Sequence, residues 1–141
     1  MSALRLPDSP PRLDSPVLQP FWDALDQGEL KLPACSKCGA WQWYPYAFVK
    51  CHADAVHDWR AVPTTGVVFT HTTVQRSLMP DGDQTVTPYV SALVELDGVE
   101  GPRLATLLVN LDGRQPSIGM RVRFTVLQGA RNKIPAFEPL D

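Results

Sequence analysis

The sequence predicts a mainly β protein: a short N-terminal helix, then a cysteine-rich ribbon, then a small five-stranded barrel. Three observations carry this. Helical spacing of apolar residues is confined to the segment PFWDALDQG; a stretch dense in cysteines and aromatics follows it without helical period; and beyond Gly66 runs rich in Val, Thr and Leu recur between Gly, Pro and Asp. With 141 residues, 44% of them hydrophobic and 20% charged, the chain can bury a core of its own without disulfides.

Residues 1–19 are rich in Pro, Asp and Ser and poor in apolar side chains, so they are expected to form an extended or disordered arm. The arm lacks the continuous apolar run of a secretory signal, and no stretch is apolar for the 18 residues a membrane span needs. The chain is therefore expected to be cytoplasmic. Residues 20–30 form the helical unit, with Pro20 in the first turn, Phe21, Trp22 and Leu25 on the apolar side and Gly28 as a stop. Two aromatics on so short a helix must bury against this chain or a partner.

The ribbon module is assigned to 31–62, read as short turns around a metal or a small aromatic core formed by Trp41, Trp43, Tyr44, Tyr46, Phe48 and Trp59. The barrel is assigned to 63–141, with strands at 67–75, 89–96, 104–109, 122–127 and 134–137. The connection 76–88 is long for a hairpin and is a candidate binding loop.

Three cysteines cannot all pair, and a close Cys-x-x-Cys in a cytosolic chain points to metal or redox chemistry before a disulfide. Cys35-Ser36-Lys37-Cys38-Gly39 is a tight knuckle, and Cys51 follows after twelve intervening residues. A tetrahedral zinc needs a fourth ligand. Asp54 holds the place of the second cysteine in a second knuckle and is preferred to His52, which would have to fold back beside Cys51, and to His57. The set is thus Cys35, Cys38, Cys51 and Asp54; the competing reading is a ribbon that has lost its metal and is held by its aromatics. A redox role is disfavoured because no βαβ pattern surrounds the motif. A closed four-ligand site leaves no position for substrate, so either way the ribbon is scaffolding.

His52, His57 and His71 stand in no nucleophile–base arrangement, and no glycine-rich phosphate loop is present, so the chain alone is not expected to be an enzyme. Net charge is −2 with a pI of about 5.9, which counts against nucleic acid. Charge is nevertheless uneven. Arg103, Arg114, Arg121, Arg123, Arg131 and Lys133 stand against Asp112 alone, which makes this segment a candidate anion site.

Taken in order, the segment PFWDALDQGELKLPACSKCG, Tyr44-Pro45, Cys51, Trp59, Gly66, Pro88-Tyr89-Val90 and Ser117-Ile118-Gly119-Met120-Arg121-Val122 resemble a known family over about 20–139. This is the OB-fold family with a rubredoxin-like zinc ribbon, catalogued as domain of unknown function 35. The resemblance implies an OB-type barrel and a non-catalytic, acyl-CoA-binding accessory subunit. Its partner would be a thiolase-superfamily enzyme, an aldolase or acyltransferase of lipid or steroid side-chain metabolism. The sequence departs from the family pattern at Asp54, where a cysteine is expected. Acyl-CoA phosphates would call on Arg121, Arg123, Arg131 and Lys133. The alternatives are an OB-fold binder of single-stranded nucleic acid and an independent acyl-CoA hydrolase.

Overall fold

A computed structural model of the chain describes residues 15–76, 88–129 and 132–141. Most of the expected arm (residues 1–14), the core of the expected binding loop (77–87) and Arg131 lie outside the described residues. Ser15 to Leu18 form a turn, with the Leu18 amide donating to the Ser15 carbonyl, that leads into α1 (Gln19–Asp26). Proline in the first turn costs no hydrogen bond there. Phe21, Ala24 and Leu25 are buried, so the body of this chain covers the helix. The Phe21 ring meets Trp22 edge-on and lies 5.2 Å from Trp43 of the ribbon. No helix among the described residues is long and apolar enough to cross a membrane.

The ribbon contains two strands where the sequence suggested only turns. β1 (Lys31–Cys35) and β2 (His57–Ala61) pair antiparallel, with Lys31 opposite Ala61 and Cys35 opposite His57. The strand character of β1 was masked by Pro33, which is tolerated because its nitrogen faces away from β2, so that pairing loses no hydrogen bond.

β3 (Thr65–Val74), β4 (Tyr89–Leu96), β5 (Leu104–Leu108), β6 (Arg121–Gln128) and β7 (Lys133–Pro139) close into a barrel in the order β3-β4-β5-β7-β6, the OB architecture that was expected. Closure removes free sheet edges. The β5–β7 pairing is parallel and the others antiparallel. Strict alternation along β4 turns Val90, Ala92, Val94 and Leu96 inward. Gly66 is required where β3 crosses β4, because a Cβ there would stand 2.2 Å from the Glu95 carbonyl oxygen. Ribbon and barrel share one core: Phe21, Leu30 and Leu32 belong to the same apolar cluster as Val68, Val94 and Phe137. The Tyr44 hydroxyl also accepts the Ala105 amide across the two modules, at 2.9 Å.

Candidate metal centre

β1 delivers Cys35 to the base of a cluster, fully buried, and the chain then reverses at once. The Lys37 and Cys38 amides aim at the Cys35 sulfur at 3.4 and 3.5 Å, and the Gly39 amide donates to the Cys35 carbonyl. Gly39 takes a φ of 77°, a conformation glycine adopts without strain. The segment before β2 supplies the other side. It is locked to the knuckle by a reciprocal pair, Ser36 amide to Val56 carbonyl and Val56 amide to Ser36 hydroxyl, both at 3.0 Å.

The donor atoms of Cys35, Cys38, Cys51 and His52 all lie within 4.8 Å of one another. Cys38 and Cys51 sulfurs are 3.5 Å apart, as are the Cys35 sulfur and His52 Nδ1. Two thiolates on one tetrahedral zinc, each at about 2.3 Å, stand about 3.8 Å apart, so one zinc could be accepted with little adjustment. All three cysteines are free.

Burial opposes ionisation of Cys35, yet the Cys38 and Lys37 amides outweigh it and bring its thiol down to about 6. Partial desolvation within the cluster, with the neighbouring Cys38 and Cys35 sulfurs, pushes Cys51 up to about 11. Three sulfurs crowded this way resist losing all their protons unless a cation is shared among them. The donor chemistry and the geometry therefore both suit zinc.

Asp54, the fourth ligand expected from spacing, is placed elsewhere. A turn closed by the Ala55 amide on the His52 carbonyl carries its carboxylate out to Lys37, which forms an ion pair with it and lowers its pKa. The same turn lets His52 reach the cluster beside Cys51. The signal that could have found it is the histidine itself, set aside because of its adjacency to Cys51.

The anion-site candidates are dispersed. Arg121 and Arg123 do share the outward face of β6, flanking buried Val122, as alternation requires. Each is engaged by a carboxylate: Arg121 grips Asp97 with two nitrogens at 2.7 and 2.8 Å, and Arg123 donates to Glu138 at 3.0 Å. Lys133 donates to the Asp26 carbonyl at the end of α1, at 2.9 Å. Arg131 lies outside the described residues.

The Arg121 guanidinium, then the Thr65 hydroxyl, hold Asp97 down at about 2. A carboxylate lowered in the folded state contributes stability that is full above its unfolded pKa of about 3.9 and is lost as pH falls toward 2. Arg121→Ala is expected to flatten this part of the acid unfolding curve. Thermal melts between pH 5 and 2 check it; an unchanged slope would show that the pair carries no pH dependence.

Comparison with known proteins agrees with the architecture. Residues 22–57 match the family model described as ChsH2, rubredoxin-like zinc ribbon domain, and residues 59–127 match ChsH2, C-terminal OB-fold domain. Among solved structures, one described as the Ltp2-ChsH2(DUF35) aldolase is similar with 26% identity and a TM-score of 0.79, over 94% of this chain and 100% of that one. A DUF35 protein of unknown function from Sulfolobus solfataricus is similar at 16% identity and a TM-score of 0.60, over 89% of this chain and 86% of that one; at that identity it shows the fold alone. No curated protein matches the chain.

Proposed function

Because the chain belongs to the family built from a ChsH2-type rubredoxin-like zinc ribbon and a ChsH2-type OB fold, we propose that it is the accessory subunit of a thiolase-superfamily enzyme. The observation that carries this is the end-to-end likeness to the ChsH2(DUF35) chain, whose solved structure is described as an aldolase with Ltp2. The partner, an aldolase or acyltransferase acting in the cytoplasm on acyl-CoA esters of the lipid or steroid class, supplies the reacting groups; this chain supplies a rigid surface.

Cys35, Cys38, Cys51 and His52 would hold one zinc, which when bound cross-links the knuckle to the segment before β2. Four protein donors close such a site, so its contribution is to shape and not to substrate chemistry. Asp54 and Lys37 form an outer pair beside it. For acyl-CoA, carboxylates already satisfy Arg121 and Arg123, which leaves Lys133 and Arg131 as the candidates to meet its phosphates.

The test is co-expression with a thiolase-superfamily enzyme of the native host. The two chains are expected to co-elute as one hetero-oligomer, and acyl-CoA turnover is expected from the complex and not from this chain alone. Independent elution of the two would overturn the reading, as would thioester turnover by this chain alone.

A further inference from the structure

The ribbon also carries an open aromatic surface that borders the metal cluster at Cys51. A cleft of about 470 Å³ opens beside the cysteine cluster, walled by Trp41, Trp43, Tyr44 and Tyr46 with Lys50 at its side. Tyr44 and Tyr46 are 54% exposed and the adjoining Phe48 61%, half of the large apolar side chains exposed among the described residues. These rings are braced rather than loose. Trp43 lies against Phe21 and Tyr44, Tyr46 stacks on Phe48 at 5.6 Å, and the Tyr44 hydroxyl is held by the Ala105 amide. No carboxylate lines the cleft, and Lys50 Nζ sits 5.4 Å over the Tyr46 ring.

Rigid Trp and Tyr ridges with gaps between them suit a polyproline II strand, which enters already extended and loses little entropy on binding. The chain's own sequence offers a segment with the composition for it. The first fourteen residues, outside the described part, include Pro7-Asp8-Ser9-Pro10-Pro11. In that conformation, with three residues per turn, Pro7 and Pro10 would fall on one face and Asp8 would project from another. The segment joins the fold at Ser15, one turn before α1, and the third residue of that helix, Phe21, already touches Trp43. Five residue steps lead from Ser15 back to Pro10, a span of roughly 16 Å when extended, and this tether starts six residues before Phe21, which touches Trp43 of the cleft. A short tether also provides an effective concentration in the millimolar range.

We propose that the Pro7–Pro11 segment of the chain's own N-terminal arm docks in this aromatic cleft, with Asp8 paired to Lys50. The proposal is independent of any partner enzyme. In the full chain, changing Pro7, Pro10 and Pro11 together to Gly removes the residues that favour the extended form. The indole N–H signals of Trp41 and Trp43 and the Lys50 amide are expected to shift in 15N–1H NMR spectra while the indole signal of Trp59 stays in place. A synthetic peptide spanning residues 4–14, added to that variant, is expected to return them. Lys50→Glu alone should produce the undocked spectrum, and Asp8→Lys in the same chain should restore the docked one. Identical spectra for the full chain and the triple-glycine variant would overturn the proposal, and so would failure of the charge reversal to rescue. Shifts that disappear on dilution would also overturn it, since they would assign the arm to a second copy.

Discussion

Cys38→Ala is expected to strip zinc from the chain and unfold the metal-bearing ends of the ribbon, the Cys35–Gly39 knuckle and the Cys51–Asp54 turn. Elemental analysis should find about one zinc per wild-type chain and well below one in the variant. The effect is large because, in a site of this type, metal binding is folding energy: isolated zinc modules gain on the order of 10–16 kcal/mol from the ion. Trp43 and Tyr44 fasten the middle of the intervening loop to Phe21 and Ala105, whereas the two cysteine-bearing ends have few contacts of their own. Cys38 and Cys51 are exposed, and the locks between the knuckle and the segment before β2 are the two hydrogen bonds of Ser36 with Val56 and the exposed Lys37–Asp54 pair.

The barrel strands should persist in Cys38→Ala, seen as a retained β signal in far-UV circular dichroism, because the shared core enters the ribbon at Leu30 and Leu32, below the metal end. The choice of fourth donor is tested in the same way. His52→Ala should weaken zinc in chelator competition by more than the roughly 10–100-fold typical of changes outside the ligand shell. Asp54→Ala should retain the metal. Retention of zinc in His52→Ala with its loss in Asp54→Ala would return the fourth position to the carboxylate.

The two candidates differ by a local event that spacing does not encode. Cys51-x-x-Asp54 has the interval of a second knuckle, and an interval was all the sequence offered. What decides the geometry is the turn from His52 to Ala55 together with the pull of Lys37, a residue seventeen positions earlier. The basic segment fails as a charge argument for a related reason. Its excess was counted along the chain, whereas the acids that engage it arrive from other strands. Arg123 stands opposite Glu138 in the β6–β7 register, Arg121 meets Asp97 at the end of β4, and Arg103 meets Glu95.

The barrel itself was legible because period-two patterning in β4 and β5 is a property of neighbouring residues. Its least complete strand was β7, expected over 134–137 and observed as Lys133–Pro139. Pro135 and Pro139 read as breakers there. Parallel pairing with β5 begins only at Ala136, so Pro135 keeps an antiparallel neighbour on β6 while the other side asks nothing of its missing N–H. Helix α1 was legible from Pro20 and Gly28. That Phe21 would be buried within this chain, against Trp43, needed the fold.

Phe137→Ala is expected to lower stability by about 3–5 kcal/mol, the usual cost of emptying a buried phenylalanine site. For a chain of this length that is a fall in Tm of the order of 10 °C. Phe137 is the largest of the fully buried side chains and has no route to solvent. Its ring meets Phe124 edge-on at 5.9 Å, and its carbonyl accepts the Val109 amide, so β5, β6 and β7 are fastened around it. A closed five-stranded barrel cannot collapse onto the void by sliding one strand, because every strand is paired on both sides. Since Phe137 belongs to the same cluster as Phe21, Leu30 and Leu32, the loss should be felt in α1 and the base of the ribbon as well. Melting followed at the barrel by circular dichroism and at the ribbon by tryptophan fluorescence should therefore shift together. Ile118→Ala, which removes a side chain 73% exposed to water, serves as the control and should move Tm by little. Two separate transitions in Phe137→Ala, with the ribbon melting at its wild-type temperature, would show that the modules are stabilised independently and that the common core does not couple them.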